Sequence, residues 1–144
     1  MSREDRRGRE AAFREAKSSD IGTRELAYLG DAVFELMVRE MLIEKSIPFG
    51  SLNHIADKYV NAKAQAEMYH KIFTKLTNIE QSIIKRGRNL HTSSRTKSAC
   101  MSEYRHATGL EVLFGYLYLN GETDRLKEVF EICTEQLFKE EAKP

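Results

Sequence analysis

Proline is nearly absent from this chain of 144 residues: there are two, and one of them is the last residue. Runs of β-branched residues are equally scarce, so long stretches of strong helix formers go unpunctuated and the chain is predicted to be all-α. Cysteine is sparse as well. Cys100 and Cys133 stand in no metal-binding or redox spacing, which excludes a disulfide-stapled scaffold and fits a reducing, cytoplasmic compartment. No apolar run approaches the roughly 18 to 20 residues of a membrane span, and no apolar segment follows the charged amino terminus, so neither an anchor nor a secretory leader is expected. Net charge is missing too: 23 basic against 22 acidic residues leave +1, and overall charge points to no nucleic-acid partner.

Several catalytic signatures are also absent. His54, His70, His91 and His106 show neither the adjacent His-Asp pair of metal phosphohydrolases nor the paired histidines of zinc proteases, which argues against a zinc enzyme. No glycine-rich loop precedes a lysine in the nucleotide-binding pattern, and no serine sits in a nucleophile-elbow context.

What is present is length enough for one domain with a real core, about two-thirds of the unfolded surface being buriable at this size. Residues 1–19 are highly charged, with Phe13 almost their only large apolar side chain, and read equally as a solvated helix or a mobile tail. Residues 20–139 are expected to form the helical domain, with 140–144 as a tail. A first helix is predicted over residues 23–44 from apolar positions at Leu26, Leu29, Val33, Leu36, Met37 and Met41. Tyr28, Ala32 and Phe34 widen that stripe, so the helix is expected to be central and surrounded. After Ile47-Pro48-Phe49-Gly50, Ser51 is a candidate cap for a second helix, and residues 62–76 continue in helix formers. A short helix from Asn78 is expected to end at Gly87 as a left-handed cap. Residues 88–102 read as an exposed loop, of a length that is usually functional or disordered. Ser102 then caps a helix that stops at Asn120-Gly121, and a last helix covers residues 122–139.

Two acids stand among apolar neighbours: Asp31 in LAYLGDAVF and Glu111 in GLEVLFGYLYL. A carboxylate taken out of water costs several kcal/mol or more unless a cation, a metal or a proton compensates it. If packing brings the two together, a pair of carboxylates plus water suits Mg²⁺ or Mn²⁺, which prefer hard oxygen ligands and retain water. Such a site would serve phosphodiester hydrolysis, orienting and acidifying an attacking water and neutralising charge on the phosphate. The competing reading gives each acid a nearby arginine or a place at a helix edge. Glu35, one turn after Asp31, is either a third acid of the site or the partner of Arg39. Thr108, one turn before Glu111, either holds a water at the metal or simply packs.

Positive charge is concentrated between residues 85 and 97, where Lys85, Arg86, Arg88, Arg95 and Lys97 occur with no acid, whereas residues 121–144 carry seven acids against four bases. With Gly87 and Asn89, the basic run is a candidate phosphate-contacting surface. Lys63, Gln65, Arg105 and His106 are secondary candidates for phosphate or sugar contacts.

Taken together, these residues resemble the ribonuclease III family, and most closely its short branch, the Mini-ribonuclease III proteins. LAYLGDAV at residues 26–33 is similar to the family's signature helix, and GLEVLFGYLYL at residues 109–119 to its second catalytic helix. YVNAKAQA at 59–66, KRGRN at 85–89 and YRHAT at 104–108 are similar to stretches characteristic of the short branch. The resemblance implies that Asp31 and Glu111 are the catalytic, metal-binding carboxylates of a divalent-metal-dependent endoribonuclease acting on double-stranded RNA. It further implies a homodimer with one site for each strand, and a role in maturing large-subunit (23S) ribosomal RNA. It leaves open whether a ribosomal protein assists. Full-length members have further acids where this chain has Ala27 and Thr108, so the metal site is expected to be thinner. Only about five residues follow the last predicted helix, so RNA binding is expected from the helical fold itself rather than from an appended domain. A-form RNA would then be read through shape, phosphates and 2′-hydroxyls. The alternative is a non-catalytic RNA-binding or ribosome-assembly module with the same fold.

Overall fold

The computed structural model describes residues 22–90 and 99–141, together with residues 2 and 3. The rest of the charged amino-terminal segment, Arg95 and Lys97 lie outside the described residues. Among the described residues the elements are α1 (Thr23–Glu44), a 3-10 turn (Phe49–Ser51), α2 (Leu52–Val60), α3 (Ala62–Phe73), α4 (Asn78–Arg88), α5 (Ala99–Leu119) and α6 (Thr123–Glu141), with no strand. None of these helices is long and apolar enough to cross a membrane.

The axis of the fold is α5, not α1. Leu110, Val112, Leu113, Phe114 and Leu117 on α5 are buried, because α1, α3, α4 and α6 all pack around this helix. A helix apolar on every side needs neighbours on every side, and LEVLFGYLYL has that composition. The rings of Phe34 (α1), Phe114 (α5) and Phe130 (α6) meet edge to face at centroid distances of 5.2, 5.8 and 6.4 Å, within the favoured range for such pairs. Cys133 lies in this core as a free thiol, its pKa pushed up to about 12 by burial, which makes it a poor nucleophile. By contrast α1 buries one face, through Leu26, Ala27, Val33, Phe34, Val38, Met41 and Leu42. It leaves Tyr28, Leu36 and Ile43 exposed at 86, 55 and 67 %. The wide apolar stripe of α1 thus has a second face turned to solvent.

Helix ends follow local chemistry, with some corrections to the sequence reading. The α1 terminus is a Schellman motif in which Ser46 N–H donates to Ile43 O (3.0 Å) and Ile47 N–H to Leu42 O (3.1 Å). Its left-handed position is filled by Ser46 at φ 58°, where glycine pays no Cβ penalty. Ser46→Gly is therefore expected to stabilise the fold by about 1 kcal/mol, read as a higher urea midpoint at unchanged slope. The corresponding position after α5 is Gly121 at φ 70°, as its Asn-Gly pair predicted. Ser51 makes no capping hydrogen bond. Asn61 does cap its helix, its Oδ1 accepting from Ala64 N–H at 2.8 Å, and so does Thr77, which forms a reciprocal box with Glu80. Gly87 is not a cap; it lies within α4 and is buried against α5. Ser102 is not a cap either, because α5 already begins at Ala99, which shortens the expected loop. The last helix runs two residues past the predicted 139.

One polar cluster locks α4 to α6. Arg125 donates from Nε to Glu80 Oε2 (2.9 Å) and from Nη2 to Glu80 Oε1 (2.8 Å), and also reaches Lys75 O (3.1 Å). The Arg125 fork, together with the Thr77 hydrogen bonds, holds the buried Glu80 carboxyl below its ordinary pKa. With the folded pKa below the unfolded one, the contribution is complete above about 4.3, the unfolded glutamate value. It is lost as pH falls through the folded value. Glu80→Gln should cost about 2 kcal/mol at pH 7, and the gap between wild type and variant should close below about pH 4 in unfolding titrations.

Candidate active site

The two acids are brought together by two glycines. Gly30 on α1 and Gly115 on α5 let the helix backbones touch. A Cβ on Gly30 would overlap the Glu111 carbonyl oxygen, and one on Gly115 the Leu26 carbonyl oxygen. Asp31 follows the first glycine directly, and Glu111 sits one turn before the second, so both project from the crossing itself. Their proximity is felt electrostatically: burial first, and the Asp31 charge second, push the Glu111 pKa up to about 7. The two acids that stand among apolar neighbours in the sequence differ in exposure. Glu111 is half-buried whereas Asp31 is exposed, since its apolar sequence neighbours belong to other faces of α1.

Among the described residues no lysine or arginine pairs with either acid. The described residues also contain no group of three or more histidine, cysteine or acidic side chains able to hold a metal. The donor set is thus two carboxylates with no counter-charge among the described residues, one of them costly to ionise where it stands. That chemistry fits a hard divalent cation that keeps much of its water. Glu35 pairs with Arg39 at 2.9 Å, the ion-pair reading of that residue, and Thr108 Oγ1 donates to Tyr104 O at 2.8 Å, a bond back to its own helix.

A second cluster forms where the end of α4 meets the start of α5. Gly87 permits it: a Cβ there would stand 2.8 Å from both Gly109 Cα and Val112 Cγ2. The close approach leaves Lys85 and Arg86 exposed and Arg88 half-exposed. Arg88 donates to Tyr69 OH (3.4 Å) and Asn89 Oδ1 (3.2 Å). Arg88, Asn89, Met101, Ser102, Arg105 and His106 line a cavity of about 340 Å³. Behind it the His106 ring lies 4.5 Å from His70 and 4.7 Å from Tyr69. Burial, then the charge of His106, hold the His70 pKa below the ordinary histidine value. Lys63 is exposed on α3, but Gln65 is only 3 % exposed. Gln65 is therefore corrected from a surface candidate to a core-facing one, because it falls on the α3 face that also buries Ala64, Met68 and Tyr69.

The model of the Ribonuclease III domain matches residues 24–122 of this chain, which takes in both glycines, both acids and the basic end of α4. The chain belongs to the ribonuclease III family. Within it, the chain is 44 % identical over 111 residues to the Mini-ribonuclease 3 of Symbiobacterium thermophilum, covering 76 % of this chain and 85 % of that one. It is 42 % identical over 111 residues to the Mini-ribonuclease 3 of a Thermoanaerobacter species, covering 76 and 78 %. An X-ray structure of a Fusobacterium nucleatum protein superposes with a TM-score of 0.72 at 32 % identity, over 83 % of this chain and 97 % of that one. This ribonuclease III chain is accordingly an endoribonuclease of a divalent-metal-dependent family that acts on double-stranded RNA.

The site also contains residues that the sequence reading did not assign. His70 and Tyr69 back the cavity, and no spacing rule marks them, since they reach His106 only through the packing of α3 on α5. Gly30 and Gly115 carried a readable signal: a glycine inside a helix costs about 1 kcal/mol relative to alanine and so calls for a packing reason.

Proposed function

We propose that Asp31 and Glu111 together hold Mg²⁺, or Mn²⁺ in its place, and that this ribonuclease III homologue cuts duplex RNA as a homodimer in the maturation of 23S ribosomal RNA. The observation that carries the reading is the Gly30–Gly115 crossing, which sets Asp31 beside Glu111 so that burial and the Asp31 charge raise the Glu111 carboxyl to about 7, with no lysine or arginine among the described residues paired to either acid. Two acids arranged at that cost are explained by a cation they share. When bound, the ion would supply electrostatic stabilisation of charge developing on the phosphate and lower the pKa of water. The chain's own part is positional: the Gly30–Gly115 crossing fixes both carboxylates, and Lys85, Arg86 and Arg88 offer donors to a backbone lying alongside.

The dimer reading rests on α1. Tyr28, Ala32, Leu36 and Ile43 follow one another at helical spacing, all are exposed, and Asp31 is on the same helix. Burying that stripe against its copy would relate two sites by a two-fold axis, the symmetry of an antiparallel duplex. The 23S assignment is supported by the likeness to the short-branch relatives.

The test is a long RNA duplex incubated with Mg²⁺, with Mn²⁺ or with chelator, beside sedimentation of the protein alone. Metal-dependent cutting by a dimer is expected. Arg86→Ala with Arg88→Ala should weaken duplex binding and lower the salt slope by about 1 to 2. Cutting that survives chelation would sink the metal assignment, and an unchanged slope would move the RNA surface elsewhere.

A further inference from the structure

One side chain in the α4–α5 cavity, His106, has a chemistry unlike the arginines beside it. His106 Nδ1 lies 2.7 Å from Ser102 O. A carbonyl oxygen only accepts, so Nδ1 carries the proton, and in the neutral ring the remaining nitrogen, Nε2, is a lone-pair acceptor. That hydrogen bond, the Tyr69 edge at 4.7 Å and the His70 ring at 4.5 Å fix the imidazole plane. The cavity therefore offers two kinds of recognition at once: guanidinium donors, which suit phosphate oxygens, and a ring nitrogen, Nε2, left over from the Ser102 hydrogen bond. Phosphate has no proton to give such an acceptor, whereas a ribose 2′-hydroxyl does, and that hydroxyl is the group separating RNA from DNA.

We infer that the 340 Å³ cavity takes one ribose–phosphate unit of an RNA strand, with Arg88 and Arg105 donating to the phosphate and His106 Nε2 accepting from the 2′-hydroxyl. His106, five residues before Glu111 on α5, is thus a specificity residue that favours ribose over deoxyribose. The inference rests on the duplex-RNA reading above and deepens it.

The experiment is a binding scan in chelator with a short RNA duplex carrying a single 2′-deoxy substitution, moved one position at a time, against wild type, His106→Ala and His106→Gln. For wild type, one position per strand should show a loss of about 3- to 10-fold, the net worth of one hydrogen bond. In His106→Ala that loss should vanish while the penalties elsewhere stay as they were. His106→Gln, which keeps an acceptor, should retain part of it. The salt slope of His106→Ala should match wild type, because a side chain that accepts from a hydroxyl neutralises no phosphate. An identical penalty map in wild type and both variants overturns the inference, as does a slope lowered by about 0.7 to 0.9, which would make His106 a phosphate-binding cation. A penalty that instead follows guanosine-to-inosine replacement would assign the acceptor to a base amine and overturn it too. The readings fail separately: metal-dependent cutting with an unchanged map defeats this inference alone, while a wild-type protein that neither binds nor cuts the duplex defeats both.

Discussion

Replacing Glu111 by glutamine, or Asp31 by asparagine, is expected to lower single-turnover cleavage of duplex RNA by about three orders of magnitude or more while leaving the protein folded and duplex affinity within a few fold. The amide keeps the shape of the carboxylate and removes the charge. Where the ligand set is two carboxylates on neighbouring helices, losing one charge removes half of what holds the cation, and stabilisation of transition-state charge goes with it. Effects of that origin appear as equal falls in kcat and kcat/KM. The same substitution should leave the melting temperature unchanged or raise it. Glu111 is half-buried, and the neighbouring Asp31 charge adds to its cost, so a neutral side chain relieves both desolvation and like-charge repulsion. Loss of cutting with a retained or higher melting temperature is the signature of a functional pair held against stability. Undiminished cutting by either variant would place the chemistry elsewhere, and a collapse in stability would make the acids structural.

Much of this arrangement was legible in the sequence, and the parts that were not share a cause. The limits of α1 followed from apolar spacing, and Asn120-Gly121 marked a turn because position 121 needs a positive φ. Spacing also named Asp31 and Glu111, since a carboxylate inside an apolar helix must be compensated. What spacing could not say is which second face an apolar stripe meets. Tyr28 and Leu36 looked like evidence that α1 is enclosed, yet they lie on its solvent face, and α5 takes the central place. Gly87 looked like a terminator because glycine has two uses, and only the approach of Gly109 and Val112 decides for packing. The Glu80–Arg125 clamp, 45 residues apart, and the His70–His106 contact lie on different helices and leave no local pattern. Residues 99–102 were read as the end of a loop rich in serine and basic residues, whereas α5 begins at Ala99.

The second large effect lies at the helix crossing, where alanine is expected to be harmful although it is the better helix former. By propensity alone, Gly30→Ala should stabilise α1 by about 1 kcal/mol. The added methyl, however, would overlap the Glu111 carbonyl oxygen and stand 2.9 Å from Gly115 N. These neighbours are backbone atoms of a buried helix and have no rotamer to change. The helices must separate, and the contacts of Leu26, Val33 and Phe34 with α5 loosen together, at a cost of about 3 kcal/mol or more. Gly115→Ala, which meets the Leu26 carbonyl, should behave alike. Gly50→Ala, with nothing within 4 Å of its Cβ, serves as the control and should be near neutral in urea unfolding. The same separation would carry Asp31 away from Glu111. Whatever fraction of Gly30→Ala remains folded in the cold should therefore cut RNA poorly even at saturating metal, because sub-ångström positioning of ligands is what such sites depend on. Wild-type stability in Gly30→Ala would mean that the two backbones do not touch, and the reason for placing the acids on a shared ion would fall with that contact.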